Sequence, residues 1–117
     1  MRISPRQQAL LRAAFVGALL AVFVLALLPV PFETKLVTWQ DKVEHFVLFG
    51  ALYLLGCSGW PRSGAALALT LLAYGVAMEL AQALTAYRSG DPADWLADAC
   101  GVGAAALFMR LRARRRS

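Results

Sequence analysis

The run from Ala13 to Phe32, which includes "AAFVGALLAVFVLALLPV", holds no charged residue and shows no polar face. A helix that is apolar on every side must be covered on every side, by the core of a large protein or by lipid. With 117 residues the chain has room for a single domain, too little protein to wrap such a helix. The bulk composition points the same way, because 60% hydrophobic and 16% charged residues is too oily for an ordinary soluble fold. A bilayer is the solvent that fits.

Three further apolar stretches follow. Val43 to Pro61 carries Glu44 as its only Asp, Glu, Lys or Arg, Ser63 to Tyr87 carries Glu79, and Pro92 to Met109 carries Asp94 and Asp98. A hydrocarbon layer about 30 Å thick needs about 20 mainly apolar helical residues to cross it. The fold class read from this pattern is all-α: a four-helix transmembrane bundle of up-down topology, forming one domain over residues 1–117. Its helices fall at about 9–30, 42–60, 63–86 and 92–112. A soluble four-helix bundle would need a polar face on each helix, which the first lacks. Arg2, Arg6 and Arg12 ahead of an apolar core also resemble a signal peptide, but the core is long and no clear small-x-small site follows, so the reading is an uncleaved first helix.

Basic residues near spans stay on the cytoplasmic side. Arg2, Arg6, Arg12, Arg62 and the arginines from Arg110 to Arg116 share one side of a four-span hairpin arrangement, with no acidic residue among them. Both termini are therefore expected in the cytoplasm. Lys35, Lys42, Arg88 and every Asp and Glu fall on the other side or in the outer half of the spans. The tail "RLRARRRS" reads as a topology signal that also touches anionic inner-leaflet lipids, and nucleic acid is not expected as a partner. Cys57 and Cys100 lie at different depths without metal-ligand spacing, and both read as small packing residues.

Prolines 29 and 31 end the first helix, and Trp39 and Trp60 mark interfaces. "CSGWPRSG" is an inner turn, and Asp91 before Pro92 has the form of an N-cap that starts the fourth helix. Small residues recur at Ala93, Ala97, Gly101 and Ala105 and at Ala73, Ala77 and Ala81. Such ridges let helices approach closely, and they predict packing of the third helix on the fourth.

An up-down chain that starts inside brings the start of helix two, the end of helix three and the start of helix four to the outer side. Those places hold the charges. Asp41, Lys42 and His45 stack on one face of helix two, Glu79 and Gln82 on one face of helix three, and Asp94, Asp98 and Gly101 on one face of helix four. Charged groups below the headgroups are costly unless they face the bundle interior and find partners. They can serve helix registration alone, or line a polar pocket open to the outer face.

These residues also carry a resemblance. "DKVEHFVLFGAL" followed by "ELAQALTAYRSGDPADWLADACGVGA" resembles the VanZ-like family of small membrane proteins, named for a member associated with resistance to the glycopeptide teicoplanin. The pattern D-K-x-x-H-x-x-x-F is met at Asp41, Lys42, His45 and Phe49. Its E-x-x-Q is met at Glu79 and Gln82, its later Arg at Arg88, and the D and G of D-x-x-x-N-x-x-G at Asp94 and Gly101. Asp98 stands where the pattern has Asn and adds a negative charge. The resemblance covers about Trp39 to Ala106 and implies a multi-pass protein of the bacterial cytoplasmic membrane.

Three functions fit. The first is a ligand site for an anionic lipid or lipid-linked envelope precursor, built from Lys42, His45, Glu79, Gln82, Arg88, Asp94 and Asp98, with Lys42 and Arg88 on phosphate. The second is an enzyme acting on such a lipid, with His45, Glu79 and Asp98 as candidate acid-base residues and no serine or cysteine nucleophile at recognisable spacing. The third is an accessory subunit whose charges serve folding. No cofactor is expected, and one histidine among carboxylates is too thin a pattern to predict a metal site. The oligomeric state stays open.

Overall fold

The computed structural model describes residues 3–28, 40–85 and 92–116, with nothing stated for the side chains of Gln40 and Asp41. It consists of four helices, α1 (Pro5–Leu27), α2 (Gln40–Gly59), α3 (Gly64–Ala83) and α4 (Pro92–Arg116), and no strand occurs among the described residues.

α1 begins earlier than its apolar run, because polar residues cap it. The Ser4 hydroxyl accepts from the Gln7 amide, the Gln7 side chain accepts from the Ser4 amide, and Pro5 occupies the first turn. This reciprocal capping box satisfies donors that a bare helix start would leave exposed. α1 ends at Leu28, whose ψ of 143° is extended. The following Pro29 denies its neighbour the helical region. α4 runs past the expected end near residue 112 to Arg116. Asp94 in its first turn and Arg114 to Arg116 in its last both complement the helix dipole.

α1 and α3 are long and apolar enough to cross a membrane. Only 6% of the apolar window of α1 is buried within the protein, so it is not the core helix of a soluble fold. Leu10, Leu20, Val24 and Leu25 on α1, and Leu69, Val76 and Leu80 on α3, face outward. An apolar surface of this kind is stable against lipid and not against water.

The helices pack around α2, which touches each of the others, whereas the backbones of α1 and α4 do not come close among the described residues. α1 is tied to the far end of α2, where Gln8 Nε2 and Arg12 Nε both donate to the Gly59 carbonyl at 3.0 and 2.8 Å. The Arg12 guanidinium lies 5.2 Å from the centre of the Trp60 ring, and Phe15 meets that ring edge-on at 5.6 Å. α1 is tied to α3 by Tyr74 Oη donating to Leu19 O at 2.6 Å and Gln82 Nε2 donating to Ala26 O at 2.9 Å. Phe49, Leu52, Tyr53, Leu67, Leu71, Met78 and Val102 form the apolar core.

The closest approach is between α2 and α4. A Cβ on Gly101 would strike the Phe46 carbonyl oxygen, and one on Gly50 would lie 3.3 Å from the Gly101 carbonyl oxygen. Backbone meets backbone there, so glycine is required at position 101. The expected small-residue seam between α3 and α4 is corrected in its details. The two helices do touch, through Trp95 Nε1 donating to Leu72 O at 3.0 Å. However, Ala73, Ala77 and Ala93 are exposed, and Gly101 packs on α2. Cys57 is buried in the core, but Cys100 is exposed and is not a packing residue within this chain; both are free thiols.

Gly101→Ala forces a methyl group into the Phe46 backbone and is expected to cost about 1–3 kcal/mol, read as a lowered melting temperature in detergent. Gly103 has open space around it. Gly103→Ala is expected to leave the melting temperature unchanged or raise it, since alanine is the better helix former by up to ~1 kcal/mol.

Candidate functional site

The polar residues meet where α2 and α4 begin. Helical spacing puts Lys42, His45 and Phe49 on one face of α2, and Asp94, Asp98, Gly101 and Ala105 on one face of α4. The glycine contact one to two turns further along holds those two faces together. Lys42 Nζ lies 2.6 Å from Asp94 Oδ1. His45 Nδ1 lies 2.6 Å from Asp98 Oδ1, and His45 Nε2 lies 3.7 Å from Asp94 Oδ2. The histidine is thus held between two carboxylates of α4, and its ring is stacked on Phe49 at 6.4 Å between centres.

α3 closes the site from its third side. Gly75, Glu79 and Gln82 share a face, and one ligand atom each from His45, Glu79 and Asp98 lies within 4.8 Å of the others. Asp98 is fully buried. Its Oδ2 sits against α3 where a Cβ on Gly75 would come within 3.0 Å of it. That oxygen has no hydrogen-bond partner among the described residues. Asp98 therefore fits because residue 75 lacks a side chain. Trp95, held by the Leu72 carbonyl, packs against the same glycine.

The side chains run from open to closed along α2 and α4. Lys42 keeps 32% of its side-chain surface exposed, His45 18%, Asp94 12% and Asp98 none. The ammonium is thus the most accessible of these groups and the Asp98 carboxylate the least. Within this sheltered cluster, charge interactions are stronger than at a wet surface. Among the described residues, three carboxylates (Glu79, Asp94 and Asp98) face one ammonium and one imidazole.

Of the residues singled out from the sequence, Lys42, His45, Glu79, Asp94 and Asp98 are brought together. Gln82 is buried on the same side of α3, and its amide is given to Ala26 of α1. Arg88 lies outside the described residues, as does any statement about the Asp41 side chain. Gly75 and Trp95 were not singled out. A glycine four residues before Glu79, on the same face of the helix, is the available signal.

A family model described as VanZ/LLP1 matches residues 15–113. The chain belongs to the VanZ/LLP1 family. In this VanZ/LLP1 protein the matched region contains the whole cluster and the Gly50 and Gly101 contact that assembles it. Comparison with curated proteins and with solved structures finds no match.

Gly75→Ala in this VanZ/LLP1 chain is expected to lower thermal stability by pressing on Asp98 and Trp95. Asp98→Ala makes room for the added methyl, so the double variant should lose less than the sum of the single losses. The coupling is expected at about 0.5–3 kcal/mol, measured as a double-mutant cycle of unfolding in detergent, and strict additivity would count against the packing described.

Proposed function

We propose that this VanZ/LLP1 protein is a four-span protein of the bacterial cytoplasmic membrane, an up-down bundle with both termini in the cytoplasm. An outward-facing polar pocket in it binds the headgroup of an anionic lipid or lipid-linked envelope precursor. The observation that carries the reading is the gathering of Lys42, His45, Glu79, Asp94 and Asp98 from three helices at one end of an otherwise apolar structure. The arginines that set orientation lie elsewhere. Arg12 grips the opposite end of α2 and the Arg110 to Arg116 tail closes α4.

In this reading Lys42 leaves Asp94 for the phosphate of an arriving headgroup, acting as a mobile point charge. Arg88, from the segment between α3 and α4, adds a planar fork to the same phosphate. Asp94 and Glu79 then accept from headgroup hydroxyls or amines, while Gln82 keeps α1 against α3. The Arg-rich tail meets anionic lipid of the inner leaflet. Holding an envelope precursor at the outer leaflet suits a role in envelope homeostasis, including the response to glycopeptides such as teicoplanin.

One observation favours a second reading. The His45–Asp98 pair has the form of a histidine oriented by a carboxylate, which is how a general base is prepared. Such an enzyme would act on a lipid-linked phosphate and draw its nucleophile from water or substrate. Turnover of a lipid-linked phosphate that is lost in His45→Gln would establish it. If Lys42→Ala and His45→Gln lower protein level in step with every phenotype, the charges serve folding alone.

Two measurements test the main reading. Lipids that copurify with the wild type are expected to drop at least about tenfold, roughly 1.4 kcal/mol of binding, in Lys42→Ala and Arg88→Ala, read by mass spectrometry of matched protein amounts. Unchanged retention of every anionic lipid in both variants overturns the headgroup site. Reporter fusions at the N- and C-terminus are both expected to report the cytoplasm, and an external signal from either overturns the four-span topology.

A further inference from the structure

We infer that His45, Glu79 and Asp98 form a binding site for one divalent transition-metal ion of the zinc or manganese class. One histidine among carboxylates is too thin a sequence pattern to predict a metal here. Folding supplies what spacing does not. One potential ligand atom from each residue lies within 4.8 Å of the others, the separation from which small side-chain adjustments surround a single ion.

The second observation is independent of that grouping. Asp98 is fully buried, and its Oδ2, on the side facing α3, has no hydrogen-bond partner among the described residues. A buried carboxylate oxygen without a partner is costly, and a bound cation is one group that would satisfy it. Its other oxygen holds His45 Nδ1 at 2.6 Å. That contact already holds two of the three proposed ligands side by side. A divalent ion with two carboxylates and a neutral imidazole has no net charge, the condition most easily tolerated below the headgroups.

Donor type narrows the ion. One nitrogen with carboxylate oxygens suits zinc or manganese. Calcium takes six to eight oxygens, and copper(I) selects sulfur ligands. Three protein ligands also leave coordination positions for an outside oxygen. If the headgroup reading holds, a lipid phosphate is the group that would take one. That last step alone rests on the proposed function; the ion site stands on the geometry.

The test uses the full chain in detergent, purified through a tag without histidines and treated with chelator. Zinc chloride is titrated by calorimetry, and manganese chloride by electron paramagnetic resonance. The wild type is expected to bind one ion per chain with a dissociation constant in the micromolar range or tighter, and to gain thermal stability from it. Asp98→Asn and Glu79→Gln, which keep shape, should weaken binding at least tenfold to a hundredfold, the range seen when support for a metal is removed. His45→Gln serves as a third variant if either of these fails to give a single species on gel filtration.

Absence of saturable binding by the wild type at about 1 mM of either ion, some 4 kcal/mol of standard binding energy, overturns the inference. So does wild-type affinity in every folded variant. Lys42→Ala separates the two sites: ion binding retained with lipid lost supports both assignments. Lipid retention by a wild type that binds no ion overturns the metal site and leaves the headgroup site standing.

Discussion

The contact on which the site depends is between two backbones. At Gly101, α4 lies so close to the Phe46 carbonyl of α2 that a single added carbon cannot be accommodated. On the other helix a Cβ at Gly50 would stand 3.3 Å from the Gly101 carbonyl oxygen, a tight but less severe contact. Where two helices approach this closely, dispersion contacts and hydrogen bonds hold them, and both fall off quickly with distance. Side chains one turn above this point are consequently set at hydrogen-bonding range. Lys42 reaches Asp94 and His45 reaches Asp98 because the helices cannot sit further apart without losing the glycine contact.

The cluster and the apolar core constrain each other. Phe49 is fully buried, stacks on His45 and touches Tyr74 at 5.9 Å between ring centres, while Tyr74 donates to the backbone of α1. An imidazole wedged between a phenyl ring and two carboxylates has little rotational freedom. The ordering cost is met by folding rather than at the moment a ligand arrives, which is the meaning of preorganisation. α1 shares in this although it brings no charged group to the cluster, because Tyr74 and Gln82 both spend their donors on its carbonyls.

Much of this was legible in the sequence, for a particular reason. In a chain so apolar, each charge stands out, and helical spacing alone assigns Lys42 with His45, Glu79 with Gln82, and Asp94 with Asp98 to shared faces. What spacing does not give is the neighbour that a face meets. In a soluble helix hydropathy marks the buried side. Here the outward face and the packed face are equally apolar, so that signal vanishes. Ala73 and Ala77 have the spacing of an interface and point outward, and Cys100 has the size of a packing residue and is exposed. The Gln8 and Arg12 grip on Gly59, and the place that Gly75 leaves for Asp98, join residues too distant in the chain for any local pattern to connect.

The fourth helix ends in arginine without unwinding, and every residue from Arg110 to Arg116 is exposed. At 100° per residue, Arg110, Arg112, Arg114, Arg115 and Arg116 point in all directions around the axis rather than along one stripe. A helix charged all round has no oily side on which to recline at an interface. In the proposed four-span arrangement its last turns would stand upright as a stiff cationic post, presenting charge at a fixed height and to neighbours on any side.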